Sequence, residues 1–183
     1  MQPDRILRIA LIGPESSGKT TLAEQLANHF HTIWILEFAR DYIAELNRPY
    51  TYEDVLFCTQ QQQKLEDEGL KKANQLLFAD TELILHKIWL WDIFKKYPLE
   101  LDIEINKHQY DLYLLTTPDL PFVDDPVREN PHRRDYFFNL YEQELIKRGF
   151  NYTVLNDSGS ARLKKAIEVV EQFLREKKHS TSL

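Results

Sequence analysis

Apolar and polar positions along the chain fall into short apolar runs separated by helical repeats. Ile6-Leu7-Arg8-Ile9-Ala10-Leu11-Ile12 is the first run, and Thr32-Ile33-Trp34-Ile35-Leu36-Glu37-Phe38 the second. Gln75-Leu76-Leu77-Phe78-Ala79-Asp80, Asp111-Leu112-Tyr113-Leu114-Leu115-Thr116-Thr117 and Tyr152-Thr153-Val154-Leu155-Asn156 follow. After the first run, Leu22, Leu26 and Ala23, Ala27 recur at four-residue spacing, the mark of a helix face, and a long helical region extends from Tyr52 to Asn74. Short, mostly apolar strands joined by helices of a dozen residues or more have both faces covered. The pattern predicts an α/β fold, a parallel sheet flanked by helices, in a single domain over residues 1–183.

Two stretches depart from this alternation. Gln60-Gln61-Gln62-Gln63 is flanked by Leu56, Phe57, Leu65 and Leu70, and reads as a solvated helix face without functional weight. Residues 119–134, introduced by Pro118 and carrying Pro121, Pro126 and Pro131 among many charges, form a long connection before a helix expected near Asp135. A connection of that length in a compact domain is expected to be an active-site lid. The tail, residues 175–183, is charged and polar and is expected to fray.

Composition narrows the function classes. With 183 residues, 43% of them hydrophobic, the chain can bury one sizeable core. A net charge of −6 argues against a general nucleic-acid binder, which needs Lys/Arg stripes. Cys58 is the single cysteine, expected to pack in a helix, and a reducing compartment fits. No run approaches the length of a membrane span, and the first strand starts too early to leave room for a signal peptide, so the expected location is cytoplasmic. The six histidines show no metal spacing; His86 is expected to be a packed or capping residue.

The chemistry concentrates after the first strand. Gly13-Pro14-Glu15-Ser16-Ser17-Gly18-Lys19-Thr20 matches G-x-x-x-x-G-K-[ST], the Walker A phosphate loop, and sits between a strand and a helix. There the free N–H groups of the helix start face a bound anion. Gly13 and Gly18 let the backbone wrap the phosphates, with Glu15, Ser16, Ser17 and Thr21 completing the nucleotide-binding set. Lys19 reaches the β- and γ-phosphates, and Thr20 offers its hydroxyl to Mg²⁺. The cofactors expected are ATP and Mg²⁺.

In an open parallel sheet, ligands bind beyond the carboxyl ends of the strands. Glu37 closes the second run and Asp80 the third, in the form of a Walker B element. Asp80 is assigned to Mg²⁺ with Thr20, and could also cap the helix opening at Thr81-Glu82. Glu37, close to Arg40 and Asp41, is placed to accept a hydroxyl proton or grip sugar hydroxyls; either Glu37 or Asp80 could be the base. Arg128, Arg133 and Arg134 on the lid could neutralise charge on the transferring group, with Asp124 and Asp125 holding them while the site is empty.

Taken in order, G-P-E-S-S-G-K-T-T (13–21), Glu37-Phe38-Ala39-Arg40-Asp41-Tyr42, Phe78-Ala79-Asp80-Thr81-Glu82, Val123-Asp124-Asp125-Pro126-Val127-Arg128 and Arg134-Asp135-Tyr136-Phe137 resemble the ribosylnicotinamide kinase domain of NadR-type proteins. The resemblance spans nearly the whole chain. It implies a nucleoside-monophosphate-kinase-like fold with strand order 2-3-1-4-5 and ATP-dependent phosphorylation of the 5′-hydroxyl of nicotinamide riboside. It also implies that Gly18, Lys19 and Thr20 hold ATP and magnesium, that Glu37 and Arg40 face the riboside, that Asp80 is catalytic, and that Arg128 and Arg134 belong to the lid. The DNA-binding and adenylyltransferase segments of the longer regulators have no counterpart in this resemblance. Family members stack an aromatic from just before the glutamate of E-[FY]-x-R on the pyridinium, and here that residue is Leu36. Trp34, Phe38, Tyr42, Trp89 and Trp91 are the candidates to replace it. A kinase for another nucleoside or hydroxylated metabolite, and a non-catalytic ATP- or GTP-binding sensor, are the competing readings.

Overall fold

The computed structural model describes residues 5–123, 125, 128 and 130–180. Five strands make one parallel sheet: β1 (Leu7–Ile12), β2 (Ile33–Ile35), β3 (Leu76–Asp80), β4 (Leu112–Thr116) and β5 (Tyr152–Leu155). Their order is 2-3-1-4-5, as the family resemblance implied. Central β1 pairs with β3 through Leu7↔Leu76 to Leu11↔Asp80 and with β4 through Ile9↔Leu112 to Ile12↔Leu115. Its carboxyl end, where the phosphate loop leaves, is therefore flanked by those of β3 and β4.

Among the described residues, seven helices cover the sheet: α1 (Lys19–His29), α2 (Phe38–Glu45), α3 (Tyr52–Leu70), α4 (Leu83–Phe94), α5 (Leu99–Lys107), α6 (Arg134–Arg148) and α7 (Gly159–Ser180). Side chains alternate across a strand, so β1 feeds two separate cores. Leu7, Ile9 and Leu11 meet Leu22, Leu26, Phe78, Val170 and Phe173 on the α1/α7 face. Ala10 and Ile12 meet Val55, Ile84, Ile105, Phe137 and Leu145 on the other, beneath α3 to α6. Two buried faces explain why the strands read as apolar runs and not as alternating ones.

The expected boundaries shift where the edge strand and the helix ends were misread. β2 is three residues long and pairs only with β3; after Ile35 the chain leaves the sheet, Leu36 is exposed, and Glu37 and Phe38 open α2. α3 stops at Leu70 and does not reach Asn74. α7 continues past Arg175 to Ser180, so the polar tail remains helical through the last described residue. The glutamine tract is not a wholly solvated face. Gln62 is fully buried, and its Oε1 accepts the Phe38 N–H at 2.9 Å, satisfying one of the otherwise orphan donors at the start of α2. Cys58 is buried, as expected, with its thiol pushed up to about 12 by burial. His86 is fully buried in α4, and burial pushes its imidazole down to about 4. Among the described residues, no helix is long and apolar enough to cross a membrane.

Candidate active site

The phosphate loop folds as its glycines require. Gly13 has φ +150°, and a Cβ there would lie 2.4 Å from Thr116 Oγ1 and 2.7 Å from the Thr116 carbonyl, so the loop can rest on the end of β4 only without a side chain. Gly18 (φ +81°) takes the left-handed conformation that turns the chain into α1. Ser17 points inward: its buried hydroxyl donates to the Pro14 carbonyl (2.7 Å) and lies 2.7 Å from Thr116 Oγ1, supporting the loop from below. Lys19 Nζ reaches back across the loop to the carbonyls of Gly13 (2.9 Å) and Pro14 (3.0 Å).

Behind the loop, Thr20 Oγ1 donates to Asp80 Oδ2 at 2.5 Å. Asp80 is 1% exposed, and its other oxygen, Oδ1, is buried without a hydrogen-bond partner among the described residues. Burial raises the Asp80 pKa against the opposing pull of Lys19, the Thr20 hydroxyl and Arg40. Among the described residues no cluster of His, Cys, Asp and Glu could hold a metal by itself. A hydroxyl, a half-satisfied carboxylate and phosphate oxygens form the hard-oxygen set that Mg²⁺ takes when it arrives with a nucleotide, so Thr20 and Asp80 fit that ion.

Asp80 does not cap the following helix. It stays in β3, Thr81 turns the corner at φ 84°, and Glu82 caps α4 by accepting the Ile84 N–H at 3.0 Å on each carboxylate oxygen. Glu82 is buried, and desolvation pushes its pKa up to about 8 despite that hydrogen bond. A folded-state pKa above the unfolded value means that the folded chain holds a proton the unfolded chain releases. The stability this provides is complete below the unfolded value near 4.5 and is lost as pH rises through 8. Urea denaturation at pH 5 and pH 9 should show a Glu82→Gln variant losing less stability over that interval than the parent does. Parallel slopes would mean that Glu82 is ionised in the fold throughout.

A cavity of about 250 Å³ opens over the loop. Its lining joins Gly13 to Thr21 of the loop with Glu37, Arg40, Tyr50, Trp89, Phe137 and Tyr141. Glu37 is part of this lining, and burial, then the neighbouring Asp80, push its pKa up to about 7 while Lys19 and Arg40 pull it down. Of the five candidate aromatics, only Trp89 lines this cavity. Trp34 packs on the α1/α7 core, Phe38 stacks on Tyr42 (5.8 Å between centroids), and Trp91 is half exposed beside Tyr97. Trp89 donates its indole N–H to the Tyr50 hydroxyl at 3.1 Å, with the rings edge to face at 5.1 Å. Tyr50 and Tyr141 escaped the sequence reading because neither lies in a motif.

The lid arginines are engaged differently from the expectation. Arg134 donates to the carbonyls of Glu15 (3.0 Å), Ser16 (3.2 Å) and Leu120 (2.7 Å), gripping the phosphate loop from outside. Arg133 forms a bidentate pair with buried Asp92 at 2.6 and 2.7 Å. Arg128 lines the cavity and donates to the Val123 carbonyl at 2.8 Å. Asp125 pairs with Arg40, while Asp124 lies outside the described residues. Glu15 accepts the Asn130 N–H at 3.1 Å.

Comparison with known proteins agrees with this architecture. The trifunctional NAD biosynthesis/regulator proteins NadR of Escherichia coli and Salmonella typhimurium are 27% and 26% identical over 97% and 96% of this chain, which spans only 45% of each of them. A crystal structure of NadR in complex with NR superimposes with a TM-score of 0.75 at 21% identity, over 92% of this chain and 51% of that one. Thymidylate kinase from Ehrlichia chaffeensis gives 0.60 at 14% identity, over 91% of this chain and 99% of that one. The fold is that of the P-loop kinases. Residues 8–162 match the model of the AAA domain family, AAA_28, and the chain belongs to that family.

Proposed function

We propose that this protein transfers the γ-phosphoryl group of ATP to the 5′-hydroxyl of nicotinamide riboside, giving nicotinamide mononucleotide. The observation that carries this reading is the cavity whose lining joins the phosphate loop to aromatic and acidic side chains. Glu37 shares that lining with Lys19, whose charge acts on it. The likeness to NadR over most of the chain, including a structure of NadR with NR, supports the same acceptor.

The geometry divides the two carboxylates. Asp80 is buried behind Thr20 and bonded to it, the position for holding Mg²⁺, which when bound draws charge from the β- and γ-phosphates. Glu37 lines the cavity, and a carboxylate titrating near 7 suits it to accept the hydroxyl proton of the acceptor. Lys19 shifts from the loop carbonyls onto the phosphates when these are present. Transfer goes through a loose transition state, so this positioning matters more than the force of the base. Glu37 acts deprotonated, and kcat/KM should therefore fall as pH drops below about 7. The acid limb should be absent in a Glu37→Gln variant, which should keep its affinity for ATP.

Leu36 is exposed and outside the cavity lining, so the stacking face for a cationic ring comes from Trp89 and Tyr50. A cation on an aromatic face gains about 0.5–2 kcal/mol. Trp89→Leu should thus raise KM for nicotinamide riboside about 2–30-fold and affect neutral nucleosides less. Equal losses for cationic and neutral acceptors would favour a kinase for another nucleoside.

A further inference from the structure

Arg162 occupies a position that ordinary helix energetics disfavours. It lies in the first turn of α7, where the helix dipole presents its positive end, yet it is a cation and only 3% exposed. Each end of its guanidinium fork is engaged. Nη1 donates to the Ser17 carbonyl at 2.5 Å, Nε donates to the Asp157 carbonyl, and Nη2 pairs with Asp119. One side chain thus joins the phosphate loop, the root of the lid after β4 and the turn between β5 and α7.

The contact to Ser17 has a consequence on the opposite side of the peptide plane. The Ser17–Gly18 peptide is trans, so its N–H points away from its carbonyl. With the carbonyl held by Arg162 on the outside, the Gly18 N–H is directed to the inside of the loop. Arg134 does the same to the two preceding peptides through the Glu15 and Ser16 carbonyls, directing the Ser16 and Ser17 N–H groups inward. Ser16 at φ 54° and Gly18 at φ 81° give the backbone the alternation of an anion-binding nest. Among the described residues, no backbone carbonyl accepts the N–H of Ser16 or Gly18. Holding these dipoles in place before the anion arrives removes the cost of orienting them at the moment of binding.

We infer that Arg162 is a positioning residue for phosphate binding, a clamp beneath the loop that aims the Gly18 N–H at the nucleotide phosphates and fixes the lid root through Asp119. The inference rests on reading the loop as a nucleoside triphosphate site, and is independent of the acceptor. Lysine in its place can satisfy one acceptor but cannot span three, because it lacks the planar fork.

Calorimetric titration of ATP with Mg²⁺ into the parent protein, Arg162→Lys and Arg162→Ala tests it, with circular dichroism melting as the control for folding. Arg162→Lys should remain folded and lose about tenfold in ATP affinity, Arg162→Ala should lose more, and guanidine hydrochloride at non-denaturing concentration should restore part of the affinity of Arg162→Ala. A folded Arg162→Lys that binds ATP like the parent would overturn the inference. So would a lysine variant that simply unfolds, which would make Arg162 a structural tie. A parent protein that binds no ATP would remove the proposed function and this inference together. A parent that binds ATP but phosphorylates no riboside would remove the acceptor reading alone.

Discussion

Replacing Lys19 by alanine should lower kcat by two to four orders of magnitude and leave the fold intact. The Lys19 ammonium donates its hydrogen bonds to the Gly13 and Pro14 carbonyls of the loop. Those carbonyls can turn to water, so the melting temperature should hardly move. The catalytic loss is large because no other lysine lines the cavity, and charge delocalised over the phosphoryl oxygens in a loose transition state has to be met by positive groups already in place. Steady-state kinetics and thermal melting of the one variant check both halves. Unchanged turnover would remove the phosphate-loop assignment.

Asp80→Asn should separate stability from function in the opposite sense. In the parent, Asp80 is a buried carboxylate with one oxygen unpartnered and its pKa raised by desolvation. An amide of the same shape removes the buried charge, keeps an acceptor for the Thr20 hydroxyl, and relieves Glu37 of a neighbouring like charge. The fold should therefore gain stability at pH 8. Turnover should fall by three orders of magnitude or more, since the carboxylate proposed to hold Mg²⁺ with Thr20 is gone. Active sites commonly store instability of this kind. Paired urea denaturation and kinetics check it; a destabilised yet active variant would show that Asp80 serves the fold and not the phosphates.

Much of this architecture was legible in the sequence because the relevant signals are local. A strand buried on both faces, a loop whose glycines answer to φ +81° and to a close approach to Thr116, and a carboxylate at a strand end are each contained in a handful of consecutive residues. What was not legible depends on contacts between distant residues. Glu82, and not Asp80, caps α4 because Thr81 adopts a left-handed conformation that only the packed corner imposes. Gln62 turns inward to meet the Phe38 N–H across 24 positions. Arg133 and Arg134 were legible as lid charges, but their partners, Asp92 on α4 and the carbonyls of the phosphate loop, are set by tertiary packing alone. Arg162 lies in no motif, and its role depends on three loops meeting at the end of the sheet. The aromatic wall follows the same logic: Trp89 and Tyr50 are 39 positions apart and meet only through the approach of α4 to the loop before α3.

The central claim is transfer of phosphate from ATP to nicotinamide riboside, and the most direct measurement is a nucleoside panel with ATP and Mg²⁺, scored by the phosphorylated product. The account predicts that nicotinamide mononucleotide forms with the highest kcat/KM of the panel, and that ATP is consumed only when an acceptor alcohol is present. Preference for a neutral nucleoside would contradict the acceptor assignment. Steady ATP hydrolysis indifferent to any acceptor would contradict the reading as a kinase.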